Sequence, residues 1–279
     1  MGFSVSPSAV LGTRGSDGTG TTIRVLLVLA PVALPTAYLF LLKRSLARRT
    51  ITSARISPPD PLVAATTNKK HARSARASSV SESALPPYVL AEPGKYVVAR
   101  ERVTSQPVSV TALRDEFLCF KSGGSELGGL LEAYLSATMR AFSWTPQALL
   151  MARMGASVVD PEGYRRTFSA EYLDACKFQP GDRVCGVYVV RSRNGGRVVL
   201  DLSPPGGWKG PVVTGALDVG YEYDGREVRF VNETVMWRNS EGGKPTMLEG
   251  RMGRWLHTLM ASWLVVKGVE AVTDGRVKS

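Results

Sequence analysis

Two long alternating segments on either side of residue 224 constrain the fold more than any other feature of the chain. Residues 212–223 and 227–238 are rich in β-branched and aromatic side chains, and Asp224-Gly225 stands between them. An Asp-Gly pair between alternating apolar segments is typical of a β-hairpin, because glycine accepts the positive φ that a tight turn needs. The sequence therefore predicts an antiparallel sheet.

The order of the other segments predicts an α+β domain. Alternating segments indicate strands, and apolar residues at helical spacing indicate helices. The predicted strands cover residues 96–103, 166–172, 183–191, 197–202, 212–223 and 227–238, and the predicted helices cover residues 111–120, 125–139, 145–154 and 246–267. Helices and strands grouped in this way indicate an antiparallel sheet with N-terminal helices and one long C-terminal helix.

This element order, over residues 90–270, resembles the helix-grip fold of the START and polyketide-cyclase superfamily. The resemblance implies that residues 88–279 form a curved sheet wrapped around the C-terminal helix, with an apolar cavity between them. A SnoaL-like cone and a hot-dog fold have a similar order of elements. Each of these folds contains both enzymes and non-catalytic binding proteins, so the resemblance does not identify a function.

An apolar segment near the N-terminus predicts a membrane anchor. Residues 25–42 are eighteen residues without a charged side chain, which is near the lower limit for a transmembrane helix. Lys43, Arg44, Arg48 and Arg49 follow it, and the positive-inside rule places such a flank in the cytosol. We therefore expect a short N-terminal segment (1–24), one transmembrane helix (25–42) and a cytosolic C-terminal domain. The endoplasmic reticulum is the expected membrane and a mitochondrial membrane the alternative; a mitochondrial presequence and a cleaved signal peptide are the rival interpretations of the segment.

Charge is distributed unevenly along the chain. The first 80 residues hold eleven Lys or Arg against two acids, and the remainder hold twenty-four against twenty-two. Residues 43–87 combine basic residues with Pro, Ser and Ala and few large apolar side chains, which predicts a basic disordered stalk. The nearly neutral remainder lacks the basic face of a nucleic-acid-binding domain, so we expect no nucleic-acid partner.

The sequence predicts neither a metal nor a cofactor. The chain has three cysteines and two histidines, with no CxxC pair, so the ligands of a Cys/His zinc site are lacking. The glycine pairs at residues 123–124 and 206–207 match neither a phosphate-binding loop nor a dinucleotide fingerprint.

His257 is the only histidine of the predicted domain and our first catalytic candidate. It lies on the predicted C-terminal helix in one stripe with Gly250, Gly253 and Ala261, small residues that allow close packing or leave space for a ligand. Histidine is a common general acid or base near neutral pH. The alternative is a histidine with only a packing role between helix and sheet.

The strand at residues 227–238 supplies further candidates. Alternation places Asn232 and Thr234 on one face and Glu233 on the other. If the first face is internal, Asn232 and Thr234 are predicted to bind substrate; if the second is, Glu233 is a second catalytic candidate. An ordinary surface strand is the alternative. Trp208, in a loop rich in Pro and Gly, and Trp255, on the C-terminal helix, are also predicted to bind an apolar substrate.

These features predict a membrane-tethered tailoring protein of secondary-metabolite biosynthesis, of the polyketide or terpenoid type. The expected activity is a cofactor-independent cyclase, isomerase or dehydratase acting on a bulky apolar substrate. The layout of an anchor and one short domain is similar in style to accessory proteins of fungal secondary-metabolite clusters. The alternatives are a non-catalytic carrier of lipid or sterol and a mitochondrial protein that handles a quinone-like lipid. An enzyme should place at least two polar groups facing each other in the cavity, whereas a carrier should have a nearly apolar lining.

Overall fold

The computed structural model describes residues 37–57, 84–92, 94–118 and 127–274. The chain divides into two compact units, Met1–Ser45 and Leu46–Ser279. In the first unit, the described residues 37–45 are helical. The second unit contains the sheet and the helices that pack on it.

The described helices and strands have the following bounds. The helices are α1 (37–49), α2 (Pro87–Ala91), α3 (Leu130–Ser143), α4 (Pro146–Met154), α5 (Pro161–Arg166), α6 (Ala170–Ala175) and α7 (Arg251–Val272). The strands are β1 (Thr50–Ser57), β2 (Tyr96–Ser105), β3 (Val108–Ser109), β4 (Arg183–Val184), β5 (Tyr188–Asn194), β6 (Arg197–Leu202), β7 (Gly215–Tyr223) and β8 (Glu227–Asn239).

The strands form one antiparallel sheet in the order β1-β2-β8-β7-β6-β5-β4, and β3 also pairs with β8. The predicted hairpin joins β7 to β8. In its turn, Asp224 Oδ1 accepts hydrogen bonds from the backbone N–H groups of Arg226 at 3.1 Å and Glu227 at 2.9 Å. The predicted α+β class, with an antiparallel sheet and a C-terminal helix, is confirmed.

Helices α3 and α7 pack side by side on one face of the sheet, which we call the helix face. Their close approach depends on Gly268, where a Cβ would lie 2.4 Å from Cε2 of Tyr134. The ring of Tyr134 stacks on Phe230 of β8, with 4.6 Å between the ring centroids. Both aromatic side chains are fully buried, so this contact holds α3 against the middle of the sheet.

The opposite face of the sheet, which we call the outer face, is partly covered by α2 and the residues before it. Leu85 and Val89 pack with Val235 and Trp237 of β8 in a second, smaller apolar cluster. Trp237 Nε1 donates a hydrogen bond to Tyr88 Oη at 3.1 Å. Thus β8 is buried on both faces over much of its length.

Two predicted elements are wrong in type. Residues 166–172, predicted as a strand, belong mostly to the ends of helices α5 and α6. Asp160 and Ser169 cap these helices by accepting hydrogen bonds from the N–H groups of Gly163 and Tyr172, so local capping outweighs the alternating pattern. Residues 110–112 and 115–117 form two short 3-10 turns where a helix was predicted.

The predicted disordered stalk is wrong for part of its length. Residues 43–49 are helical, and Thr50–Ser57 forms β1, which pairs antiparallel with β2 from Thr50↔Ser105 to Ser57↔Val98. The free edge of β2 supplies backbone hydrogen-bond partners for this segment. The stalk was predicted from amino-acid composition alone, which does not take such partners into account. Ala84 and Leu85 are buried as well. The domain therefore begins earlier than the predicted boundary at residue 88, and residues 58–83 lie outside the described residues.

Among the residues that the structure describes, no helix combines the length and the apolar character that crossing a membrane requires. Residues 25–36 of the predicted transmembrane helix lie outside the described residues, and residues 37–42 belong to α1. The predicted span is not supported by this finding, and the cytosolic orientation stays a prediction.

Candidate functional site

A cavity of about 290 Å³ lies between the helix face of the sheet and helices α3, α4 and α7. Most of its lining is apolar, and the sulfur-containing and aromatic members include Met139, Phe142, Met151, Tyr188, Met236 and Met260. Ligand sites are typically concave, mainly apolar spaces of roughly this size or larger, with a few placed polar groups. The cavity can therefore hold a small apolar molecule.

Four of the six candidate residues line this cavity, and three of them are polar. Asn232 and Thr234 line it from β8, and His257 lines it from α7. The alternation of β8 puts both strand residues on the helix face, and α7 crosses that face. Of the two alternatives for this strand, the structure places the face with Asn232 and Thr234 towards the cavity.

His257 contacts a carboxylate that was not among the predicted site residues. Its Nδ1 lies 2.7 Å from Oε2 of Glu101, and both side chains are buried. Glu101 belongs to β2 and pairs with Thr234 of β8 in the sheet register. A carboxylate on Nδ1 favours the tautomer in which Nδ1–H donates and Nε2 is an acceptor.

Two buried oxygen atoms at this site have no hydrogen-bond partner among the described residues. They are Oε1 of Glu101 and Oδ1 of Asn232. Glu101 is 2% exposed and Asn232 is 3% exposed. A buried polar atom without a partner costs about 1–3 kcal/mol, and such atoms are uncommon in folded proteins. Asn232 lines the cavity, so a bound ligand or an ordered water there would supply the missing donor to its Oδ1.

Trp208 lies at the cavity, whereas Trp255 does not belong to its lining. The loop between β6 and β7 brings Trp208 to the cavity, and Trp208 Nε1 donates to the carbonyl oxygen of Pro211 at 3.2 Å. Its ring packs near Tyr164, with 6.1 Å between centroids. Trp255 is half-buried on α7.

Glu233 points to the outer face, away from His257. Its carboxylate oxygens lie 3.6 Å from Arg102 Nη1 and 4.0 Å from Arg100 Nη1. Asp218 of β7 is its direct neighbour across the sheet and binds Arg197 at 3.0 Å. Burial raises the pKa of Asp218 above its ordinary value, and the guanidinium of Arg197 opposes that shift. These residues form a charge-paired network on the outer face.

Glu101 was missed because its partner is distant in sequence. Between Arg100 and Arg102 it has the pattern of a solvated strand residue. His257 is 156 positions further along the chain. The alternation of β2 predicts that Glu101 lies on one face of the sheet and that Arg100 and Arg102 lie on the other. No local signal in the sequence shows which of these faces α7 covers. Among the described residues, no group of three or more His, Cys, Asp or Glu is arranged to hold a metal ion.

No family model matches the chain, and neither a curated protein nor a solved structure matches it. The resemblance to helix-grip, SnoaL-like and hot-dog folds thus stays at the level of element order.

Proposed function

We propose that the domain binds a small apolar molecule in the cavity and that His257 acts on it as a general acid or base. The observation that carries this proposal is the buried hydrogen bond between His257 and Glu101, where His257 lines a mainly apolar cavity that Asn232 and Thr234 also line. Isomerisation, cyclisation and dehydration are the reaction classes that need only proton transfer. Asn232 and Thr234 would hold a polar group of the substrate.

The geometry suggests a role for each group. With Nδ1–H donated to Glu101, Nε2 of neutral His257 can remove a proton from a bound ligand. The carboxylate of Glu101 would stabilise the imidazolium that results. His257 would then return the proton to another atom of the ligand, or to a leaving hydroxyl group. Apolar walls strengthen these interactions because they exclude water.

The distribution of polar groups supports an enzyme over a carrier. A carrier needs only apolar contact, whereas here Asn232 and Thr234 of β8 and His257 of α7 line the same cavity. Glu101 of β2 contributes through its hydrogen bond with His257. A buried polar side chain without a protein partner lowers the stability of the fold. Binding of substrate to that side chain would explain why the protein keeps it. The carrier of lipid or sterol is the second candidate, favoured by the apolar remainder of the lining.

Native mass spectrometry of the full chain, purified from its own host, tests the proposal. The wild-type protein should retain a small molecule. The His257→Gln variant should retain a precursor, one water heavier for a dehydration, or an isomer that chromatography separates. The glutamine can still donate to Glu101, so the free energy of unfolding should change by less than about 1 kcal/mol.

The matched control is His71→Gln, which alters the other histidine of the chain and should leave the retained molecule unchanged. A folded His257→Gln protein that retains the same molecule as the wild type would contradict catalysis and favour the carrier. The membrane tether and the place in secondary metabolism belong to the same proposal, and the identity of the retained molecule bears on both.

A further inference from the structure

Exposed apolar side chains stand at the opening of the cavity. Leu150 of α4, Val213 of the β6–β7 loop and Met247 before α7 line the cavity, yet they are 59%, 37% and 40% exposed. A side chain that both lines a cavity and is exposed must stand at its mouth. The mouth is therefore formed by three segments, 144–154, 203–214 and 244–256, which together we call the rim.

Further apolar residues of the rim face outwards. Next to the lining residues, Leu149 and Val212 are exposed, and so are Met252 and Leu256 of α7. The segment before α7 and α7 itself are in close contact, because a Cβ on Gly253 would lie 2.8 Å from Cγ of Met247. Large apolar side chains grouped on one surface mark an interaction site.

The charged residues of the rim are mainly basic. Its three segments contain five cationic side chains and one acid, Glu249. That acid is already bound, with Oε2 at 2.8 Å from Arg238 Nη2. The cationic residues are Arg153, Lys209, Lys244, Arg251 and Arg254. The rim therefore carries an excess of positive charge beside its apolar side chains, which complements an anionic surface.

We propose that the rim docks on an anionic lipid bilayer, so that the cavity opens directly onto the membrane. The exposed apolar side chains would enter the boundary between headgroups and acyl chains, and the basic side chains would contact anionic headgroups. The excess of cationic side chains favours a bilayer with anionic headgroups over a second copy of this chain, because two copies of the same basic rim would repel each other. The surface belongs to the folded domain, so the proposal does not depend on an N-terminal anchor or on turnover in the cavity.

Photo-crosslinking tests the docking surface. The full chain would be reconstituted in vesicles of phosphatidylcholine and phosphatidylserine that contain a phospholipid with a diazirine near the end of its acyl chain. After illumination, mass spectrometry should find lipid adducts in the rim segments. In Leu149→Asp/Val212→Asp, rim adducts should fall about tenfold, because two charges at the headgroup boundary oppose insertion. Neither residue lines the cavity, so the retained ligand should not change.

Leu90→Asp is the matched control, because Leu90 is also exposed but lies on α2, which packs on the outer face. Its rim adducts should equal those of the wild type. A second arm needs no variant: omission of phosphatidylserine from the vesicles should lower the rim adducts of the wild-type protein severalfold.

Three outcomes would overturn the proposal. The first is the absence of adducts from the rim of the wild-type protein. The second is an equal adduct yield with and without phosphatidylserine. The third is a wild-type protein that forms dimers through the rim, shown by a monomeric double variant in mass photometry, which would make a second copy the partner.

Discussion

Buried polar side chains on the two faces of β8 have different partners. On the outer face, Glu233 and its neighbour Asp218 each lie within 4.0 Å of at least one guanidinium group. On the helix face, Asn232 and Glu101 each keep an oxygen atom without a partner among the described residues. The outer face pairs its buried carboxylates with arginines of the fold, although Asp218 Oδ1 also lacks a hydrogen-bond partner there. On the helix face, by contrast, Asn232 keeps its unpartnered oxygen at the lining of the cavity, where a ligand can reach it. The same alternation of one strand thus serves stability on one side and a candidate site on the other.

The largest expected effect tests the outer face. In Arg197→Met, the buried carboxylate of Asp218 loses its hydrogen-bonded cation, and removing one partner of a buried pair costs about 3 kcal/mol or more. Urea unfolding should show that loss, while ligand retention per folded molecule stays unchanged. Arg140→Met is the control, since Arg140 and Asp174 form a half-exposed pair at 3.2 Å, and such pairs contribute about 1 kcal/mol or less. If both variants lost the same free energy of unfolding, the buried pair would contribute no more to stability than the surface pair, and the prediction would be wrong.

The next effect tests Glu101 as a positioning residue. In Glu101→Gln, the amide can present N–H or C=O to His257, so the Nδ1–H tautomer is no longer enforced. Turnover of the retained molecule should fall about 100-fold, roughly 2.7 kcal/mol in the activation barrier. Nitrogen NMR of histidine-labelled protein should show the ring of His257 shifting to a mixture of tautomers. The ring of His71 serves as the internal reference. An unaltered tautomer with unaltered turnover would leave Glu101 no positioning role.

A smaller effect tests the unpartnered amide. In Asn232→Leu, an apolar side chain of similar size replaces a buried group that lacks a hydrogen bond at Oδ1. Stability should rise, by up to about 1 kcal/mol, because the cost of the unpaired group disappears. Ligand retention should fall at the same time. Thermal unfolding and native mass spectrometry on one sample measure both. A less stable variant that retains its ligand would show that the amide serves the fold.

The smallest effect concerns pH on the outer face. Burial raises the pKa of Asp218 above 3.8 in the folded protein, and its Oδ1 has no hydrogen-bond partner among the described residues. The folded state therefore holds this proton more tightly than the unfolded state. As pH rises from 3.8 through the raised pKa, the wild type should lose stability relative to Asp218→Asn. A wild type that instead gains relative stability would mean that Arg197 outweighs burial.

Much of the fold followed from local signals in the sequence. The β7–β8 hairpin was predicted from Asp224-Gly225, and helix α4 from Thr145-Pro146, where Thr145 Oγ1 accepts from the N–H of Ala148 at 3.2 Å. Both signals act over a few residues, so no distant partner is needed. The alternation of β8 likewise separated Asn232 and Thr234 from Glu233.

Other features were decided only when distant segments came together. β1 forms because it pairs with the edge of β2. The composition of residues 43–87, from which a stalk was predicted, does not show that this pairing partner exists. The packing of α3 and α7, with Gly268 against Tyr134, determines which face of the sheet the helices cover. The contact of Glu101 with His257 depends on that choice and on where the long helix crosses β2. Alternation is a local property of the chain, whereas the side of a sheet that becomes a cavity is a property of what packs against it.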